Sequence, residues 1–361
     1  MITKLGSVIT EYAVRNKHDE DIPVYSVTNE QGFCTGYFSK DVASKDRTTY
    51  KIVPRGYFAY NPSRINVGSV DWQDCQDRVI VSPLYVVFGV DEKLDQQYLL
   101  HYLKSDITLT YIKALATGSV RDNLKFSVLQ EFPINLRPIE EQRKIASVLN
   151  RIDRVIALRK EELETLDNLV KSRFIELFGK YADTTRLSEV AAVTGGLTKN
   201  SKRDQLPLQM PYLRVANVGF ASIDVTEMLD IGLTKEECEK TLLQYEDLLF
   251  VEGNGSPDQI GRVAIWRNEI RPCVHQNHLI KSRFDQSVVN PVFAMHYFMS
   301  QRGREQIKGK AVSTSGLYTL SVSKVAELLM PVPPMALQKS FAAFVEQTDK
   351  SKLCGEMEVA A

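Results

Sequence analysis

The sequence has no long hydrophobic run and no excess of charge of one sign. No apolar stretch approaches the roughly 18 residues that a membrane-spanning helix requires. The 45 lysine and arginine residues are balanced by 45 aspartate and glutamate residues, which excludes a polybasic protein that binds nucleic acid through bulk charge. Because the first residues also lack an apolar signal core, the sequence predicts a cytoplasmic protein without a membrane span.

Cysteine is also scarce, and no two of the five cysteines have the Cys-x-x-Cys spacing of a thiolate zinc site. The strongest metal candidate is the group Cys273, His275 and His278, which has no fourth ligand nearby and is more typical of an alternating strand. We therefore expect neither a metal nor a disulfide framework. The 361 residues suffice for two domains and a connector, and the composition, 43% hydrophobic and 25% charged, is that of a folded globular protein.

The clearest positive feature is the run from Pro138 to Phe178, which is not interrupted by glycine. Its apolar residues follow each other in steps of three and four, the heptad spacing of a coiled coil. The spacing predicts a helix about 60 Å long, at 1.5 Å per residue, whose seam packs on another long helix and acts as a spacer. An ordinary core helix is the alternative. The predicted seam consists of Ile145, Leu149, Ile152, Ile156, Leu163, Leu166, Val170 and Leu177.

The chain also contains an internal repeat. Pro138 and Gln142 recur as Pro334 and Gln338, 196 positions later, and apolar and small-residue positions around them recur with the same offset. Short β-rich runs, among them 212–218, alternate with turns, and helical stretches at 97–111 and 291–307 come late in each half of the chain. This pattern predicts a mixed α+β fold of the α/β class, built as two tandem modules with a pseudo-twofold repeat. The predicted boundaries are 1–135 for the first module, 136–180 for the long helix, 181–330 for the second module and 331–361 for a second helix.

These repeated Pro–Gln helix openings and the long heptad helix resemble the specificity subunit of type I restriction–modification systems. The element Tyr60-Asn-Pro-Ser-Arg64-Ile-Asn-Val-Gly68 and its counterpart at Gly253-Asn-Gly-Ser-Pro257 add to the resemblance. It implies two target-recognition domains that each read half of a bipartite sequence in double-stranded DNA. It also implies conserved helices that set the spacing and dock methyltransferase (modification) subunits.

The resemblance further implies that this chain is not itself an enzyme. S-adenosylmethionine, ATP and magnesium are expected on partner subunits only, which include restriction or motor subunits. The heptad pattern of the second helix continues only to about Thr348 before Gly355, so we expect a shortened helix, with no segment before the first module to replace it. Self-dimerisation through the helices is therefore an alternative mode of assembly.

Loops at matched places in both modules carry cations and amides, which suit DNA because cations position phosphates and Arg, Lys, Asn and Gln read base edges. The candidates in the first module are Arg64, Asn66, Lys113, Arg121, Asn123 and Lys125. The candidates in the second module are Lys199, Asn200, Lys202, Arg203, Asn254, Arg262, Gln276, Asn277, Lys308, Lys310, Ser313, Ser315 and Tyr318.

No sequence motif supports catalysis by this chain. The closest match to an adenine methyltransferase loop, Asn290-Pro-Val-Phe293, lacks the second proline, and the chain has no Gly-x4-Gly-Lys-Ser/Thr phosphate loop. The competing hypotheses are an adaptor or scaffold protein that does not bind DNA and a degenerate methyltransferase. Strongly salt-dependent binding to duplex DNA would favour the DNA-recognition subunit, and indifference to DNA would favour the adaptor. Binding of S-adenosylmethionine by the isolated chain would favour the degenerate methyltransferase.

Overall fold

The computed structural model describes residues 2–36, 46–115, 123–314 and 316–360 of the chain. It divides into two units, residues 1–157 and 158–361, and one long helix contributes to both. Each unit contains a four-stranded antiparallel sheet, helices that pack against it, and smaller sheets. Within these residues, no helix is both long and apolar enough to cross a membrane.

The described residues of the first unit form ten strands and three complete helices, followed by the start of the long helix. The strands are β1 (Ile2–Lys4), β2 (Ile9–Glu11), β3 (Ser26–Thr28), β4 (Gly32–Cys34), β5 (Lys51–Pro54), β6 (Phe58–Tyr60), β7 (Val70–Trp72), β8 (Arg78–Val81), β9 (Val86–Val90) and β10 (Pro133–Asn135). The helices are α1 (Gln96–Lys104), α2 (Asp106–Leu115), α3 (Phe126–Leu129) and the long helix α4 (Ile139–Phe178).

The second unit repeats this order with a larger insertion between its first central strands. Its strands are β11 (Thr185–Arg186), β12 (Ala191–Gly195), β13 (Leu208–Leu213), β14 (Leu229–Leu233), β15 (Leu248–Val251), β16 (Gly253–Asn254), β17 (Val263–Ile265), β18 (Val274–His275), β19 (Leu279–Phe284), β20 (Val312–Thr314), β21 (Leu317–Thr319) and β22 (Leu329–Met330). Its helices are α5 (Leu187–Val190), α6 (Lys235–Thr241), α7 (Pro291–Met299), α8 (Gln301–Lys310), α9 (Val322–Ala326) and α10 (Met335–Ala360).

The two central sheets have the same topology. The strand order is β2-β9-β6-β7 in the first unit and β12-β19-β15-β17 in the second, with all neighbours antiparallel. In both units the sheet is followed by a helix pair, a one-turn helix and a short strand that pairs with the first strand of the unit, β1 with β10 and β11 with β22. The internal repeat in the sequence therefore corresponds to a repeat of the fold.

The helical stretches predicted at 97–111 and 291–307 are each split into two helices by a serine. Ser105 and Ser300 are extended, and each hydroxyl donates to the carbonyl three residues before it, that of Tyr102 or Tyr297. The same hydroxyls accept the backbone N–H of Thr108 and Gly303, at 3.3 and 3.4 Å. Serine competes for backbone hydrogen bonds in this way, so it ends one helix and begins the next.

The core of each unit is built where its helices cover the central sheet. Phe58, Tyr60 and Phe88 are fully buried in the first core, and the rings of Phe58 and Phe88 stack with centroids 5.0 Å apart. In the second unit Phe250 and Phe298 are fully buried and meet edge to face at 5.1 Å. Burial of such apolar area, at about 25 cal/mol per Å², supplies the main stabilising free energy of each core.

Helix α10 packs antiparallel to the second half of α4. The ring of Phe341, near the start of α10, contacts Phe174 and Phe178 near the end of α4, with centroids 5.4 and 5.6 Å apart. Further along, Arg159 donates to the carbonyls of Ser351 and Lys352. The predicted pairing of two long helices is therefore present between the second half of α4 and α10.

The predicted seam of α4 is covered unevenly. Ile145 and Leu149 are half-buried in the first unit, while Ile152 and Ile156 are 49% and 37% exposed. The remaining seam residues are buried or half-buried in the second unit: Leu163, Leu166, Val170 and Leu177. The heptad pattern thus gives the correct face of the helix at both ends, and residues 151–158 between them are exposed.

The predicted fold class, two tandem α+β modules with a long helix, is confirmed. One strand prediction is wrong, because residues 215–217 of the predicted run 212–218 form a 3-10 turn. There the buried Asn217 donates to the carbonyls of Asp224 and Glu227, which closes a loop instead of extending a strand. Helix α10 also differs from the sequence pattern, since it continues through Gly355 to Ala360.

Candidate nucleic-acid interface

Loops converge at one edge of the central sheet in the second unit. Strands β12 and β15 end at this edge, and β17 and β19 begin there, because Gly195 pairs with Ile280 and Val251 with Leu279. The loops that follow or precede these strands therefore share one surface. They carry most of the second-module candidates, at 196–203, 252–262 and 276–278.

A small three-stranded sheet adds further candidates to this edge. Asn254 lies opposite Tyr318 in the pairing of β16 with β21, and Ser313 lies opposite Tyr318 in the pairing of β20 with β21. Glu252 joins the cluster to the sheet, since its carbonyl accepts the N–H of Leu320 at 2.7 Å. Three residues chosen from the sequence, Asn254, Ser313 and Tyr318, are thus brought together; Ser315 lies outside the described residues.

Gln276 and Asn277 lie beside the basic loop that follows β12. The N–H of Asn277 donates to the carbonyl of Leu197 at 2.9 Å, and Leu197 donates to His275. Gly196 permits this approach, because a Cβ there would lie 2.1 Å from the carbonyl oxygen of His275. Two half-buried amides are therefore held next to the exposed residues Lys199, Asn200 and Lys202.

Three predicted DNA-binding cations already have acidic partners. Arg203 forms a bidentate ion pair with Glu237, at 2.8 and 3.0 Å, and holds the pKa of that carboxyl at about 2. Lys308 donates to Asp258 at 2.6 Å, and its hydrogen bond lowers the pKa of that carboxyl. Lys310 pairs with Glu327 at 3.1 Å. The structure therefore gives Arg203 a structural role and leaves Lys308 and Lys310 partly neutralised.

Arg262 and Arg304 surround the loop that ends at Gly261. Arg304 donates to the carbonyls of Gly261 and Asp258, and its guanidinium lies 5.3 Å from the ring centre of the half-exposed Phe220. Arg262 donates to Gln259 at 3.1 Å, while its Nε is buried without a partner among the described residues. Arg304 and Phe220 were not among the sequence candidates, and the basic run 302–310 was the only signal for Arg304.

The first unit presents a corresponding loop between β6 and β7. Arg64 and Asn66 lie on this loop, and the N–H of Leu124 donates to the carbonyl of Pro62, which brings Asn123 and Lys125 close to it. Asn123 and Lys125 are both exposed, and Lys113 is exposed near the end of α2. Arg121 lies outside the described residues.

The three residues of the metal candidate, Cys273, His275 and His278, lie in the second unit and have separate surroundings. The Cys273 thiol is buried, which raises its pKa to about 12, and His275 contacts the Leu279 carbonyl through Nδ1 at 2.9 Å. His278 pairs instead with Glu252 at 2.8 Å. Among the described residues, no group of three or more His, Cys, Asp or Glu side chains is arranged to hold a metal ion.

Part of the chain is similar to a known family of DNA specificity domains. Residues 7–168 match the family model of the type I restriction modification DNA specificity domain. The chain is 23% identical over 275 residues to the EcoKI specificity subunit of Escherichia coli K12, which covers 69% of this chain and 58% of that protein. The MjaIX specificity subunit of Methanocaldococcus jannaschii is 25% identical over 277 residues, covering 69% of this chain and 61% of that protein.

The chain is also 23% identical over 271 residues to the StySPI specificity subunit of Salmonella potsdam, covering 70% of this chain and 58% of that protein. The chain thus spans less than two thirds of the length of these curated relatives.

Solved structures share the fold. The crystal structure of the type I restriction–modification S subunit from M. genitalium matches with a TM-score of 0.59 and 17% identity, covering all of this chain and 92% of that one. A chain from a study of type I assembly and conformational transition matches with a TM-score of 0.57 and 15% identity, covering 100% and 93%. The resemblance recognised in the sequence is therefore confirmed: the chain is similar to type I restriction–modification specificity subunits, and residues 7–168 match the type I DNA specificity domain.

Proposed function

We propose that this chain is the DNA sequence-specificity subunit of a type I restriction–modification complex, and that each unit reads one half of a bipartite target. The observation that carries the proposal is the repeated sheet. Two sheets of identical strand order each gather loops with amides and cations at one edge. Two copies of one reading surface suit a target with two half-sites, because each copy positions phosphates and reads base edges by itself.

The electrostatics of the two loop clusters support contact with DNA. Although the net charge is zero, Lys199 and Lys202 have no ion-pair partner in the part of the chain that the structure describes, and both are exposed. Loops of this kind position a phosphate backbone, and neighbouring amides such as Gln276 and Asn277 suit adenine. Affinity would then come from local surfaces and not from bulk charge.

We also propose that the chain acts without a cofactor of its own and without catalysis. The relatives that it matches are named specificity subunits. In this proposal, methyltransferase subunits dock on α4 and α10 and carry S-adenosylmethionine, while restriction subunits supply ATP and magnesium chemistry. The protein then works in the cytoplasm, where it meets chromosomal DNA. Self-dimerisation through the helices is the alternative assembly, and a scaffold that does not bind DNA is the alternative function.

The experiment is selection from a randomised duplex library by the chain co-expressed with its modification subunits, followed by a salt titration. The proposal predicts two conserved half-sites separated by a fixed spacer, and affinity that falls linearly on logarithmic scales as salt rises. The double variant Lys199→Ala, Lys202→Ala should weaken binding to all sequences and reduce the salt slope. Indifference to DNA would favour the scaffold function.

A further inference from the structure

Loop 61–68 of the first unit has an equivalent in the second unit, loop 254–261. Each loop follows the second central strand and begins with an asparagine whose Oδ1 accepts the N–H two residues on, at 3.1 Å from Ser63 and 2.9 Å from Ser256. Each ends at a glycine with a left-handed backbone, φ 87° at Gly68 and 60° at Gly261, which glycine adopts at little cost. The frame is thus the same in both units, and the side chains at its tip differ.

Arg64 lies at the tip of the loop in the first unit, and its backbone is fixed by three hydrogen bonds. Its N–H donates to Asn61 at 3.0 Å, and its carbonyl accepts from Val67 and Ser69 at 3.1 and 3.2 Å. The next residue, Ile65, is 1% exposed and anchors the turn in the core. A rigid backbone that carries an exposed side chain lowers the entropy lost when that side chain binds a partner.

The guanidinium of Arg64 is available for such a partner. Within the described residues it has no ion pair or side-chain hydrogen bond, unlike Arg203, which is paired with Glu237. The β3–β4 hairpin lies against the same loop, because the hydroxyl of Ser69 donates to the carbonyl of Val27 at 2.7 Å. Asn29 in its turn and Arg64 are both exposed, and both line one polar notch.

The size of the notch determines how a base can bind. Its volume is about 30 Å³, and it is lined by Ser26, Val27, Thr28, Asn29, Asn61, Arg64, Ser69 and Tyr85. This space admits water but is too small for a base flipped out of the duplex. A ligand must therefore meet Arg64 and Asn29 at the rim, as the edge of a base pair in the major groove would.

We infer that Arg64 reads a guanine, and that Asn29 reads the neighbouring adenine, in the half-site recognised by the first unit. Arginine pairs bidentately with O6 and N7 of guanine, and asparagine pairs bidentately with N6 and N7 of adenine. Asn61 acts as a positioning residue, because its Oδ1 already accepts from both the backbone and the hydroxyl of Ser63. The Oδ1 of Asn254 in the second unit likewise accepts a backbone N–H, that of Ser256. The inference rests on the proposed function and adds the residues and bases to it.

The test compares library selection and salt titration for the parent complex and for Arg64→Ala, Arg64→Lys and Asn29→Ala. In Arg64→Ala, preference for one guanine in one half-site should fall about 10- to 100-fold, while the other half-site and the salt slope are unchanged. Arg64→Lys keeps the charge but loses the planar fork, so it should also lose much of the preference. Asn29→Ala should relax one adjacent position only.

Arg55 provides the matched control. It precedes β6, at the opposite edge of the sheet, where its guanidinium lies 3.7 Å from Asp77, and Arg55→Ala should leave selection unchanged. Equal loss of affinity for all sequences with a lower salt slope in Arg64→Ala, and parent behaviour in Arg64→Lys, would assign Arg64 to a phosphate and overturn the inference. Unchanged preference would overturn it as well. If the parent itself selects no sequence, the proposed function fails and not merely this assignment.

Discussion

Gln142 and Gln338 make the same hydrogen bonds at equivalent places in the two units. Both are fully buried, and the Oε1 of each accepts the N–H of the residue that caps a helix, Asp95 at 3.0 Å and Asn290 at 2.8 Å. The Nε2 of each donates to a carbonyl just before its own helix, at 2.8 and 2.7 Å. The amide thus joins the start of a long helix to the helix that follows the central sheet.

Removal of this amide should destabilise its unit. Gln338→Ala leaves the N–H of Asn290 and the carbonyls of Val288 and Pro333 without their side-chain partner, and buried polar groups left unpaired cost about 1–3 kcal/mol. Denaturant unfolding measures the difference. Gln347→Ala, at an exposed position of the same helix, is the control and should change stability by less than about 0.5 kcal/mol. Equal effects of both substitutions would refute the joining role.

The aromatic cluster between α4, α7 and α10 should dominate the stability of the helix pair. Phe341 is fully buried and contacts Phe174, Phe178 and His296. Phe341→Ala should lower the free energy of unfolding of the second unit by about 3–5 kcal/mol, through lost burial and the resulting cavity. Leu353→Ala, at a 58% exposed position of α10, should have little effect. A small loss from Phe341→Ala would mean that α10 contributes little to this unit.

Stability should fall in weak acid because the folded chain holds one buried histidine, His275, and one half-buried histidine, His296, in the neutral form. Burial lowers the pKa of His275 and of His296 to about 4, against 6.5 in an exposed chain. Between these values the unfolded state binds more protons, so stability decreases as pH falls from about 6.5 to 4, by up to about 1.4 kcal/mol per pH unit for each histidine. Above pH 6.5 the two residues add no pH dependence.

His296→Phe tests this origin of the acid sensitivity. The ring of His296 lies among aromatic side chains, and its Nε2 has no partner among the described residues, so phenylalanine retains the packing. Unfolding measured from pH 7 to 4 should show a slope reduced by about one proton. A profile parallel to that of the parent would show that another group causes the loss.

The exposed middle of α4 is the place to test the spacer. Residues 151–158 are exposed, and Arg159, which follows them, donates to the carbonyls of Ser351 and Lys352 in α10. Seven residues inserted after Arg154 add two helical turns, about 10.5 Å, and preserve the heptad face. Under the proposed function, the spacer between half-sites should lengthen by about three base pairs. Substitution of residues within 151–158 without an insertion is the control. An unchanged distance between the half-sites would refute the proposal that α4 sets this distance.

Much of the fold was predictable because it rests on local periodicity and repetition. The heptad steps identified α4, and the recurrence of Pro138 and Gln142 at Pro334 and Gln338 identified the tandem modules. The breaks at Ser105 and Ser300 were missed, since the apolar helical pattern continues through both serines and only the hydroxyl contacts reveal the interruption. Sequence spacing does not show which hydrogen bonds a serine makes.

The candidate interface was less predictable because it depends on contacts between distant segments. The composition of the loops identified their basic residues. It did not identify the ion pair of Arg203 with Glu237, because Glu237 lies 34 residues further along the chain. Asn29 was missed because its role depends on the hairpin that packs against loop 61–68. Sequence indicated that Arg64 is a cation on a turn, whereas the structure shows that its guanidinium has no protein partner among the described residues.

The most direct test of the account is methylation-sensitive long-read sequencing of DNA from cells that carry the modification subunit, with and without this chain. We predict a methyladenine motif with two half-sites and a fixed spacer that appears only when the chain is present, and one changed guanine position in the Arg64→Ala strain. A palindromic motif would indicate dimers as the working form. If the chain is expressed and folded but no new methylation motif appears, the result would contradict the specificity function.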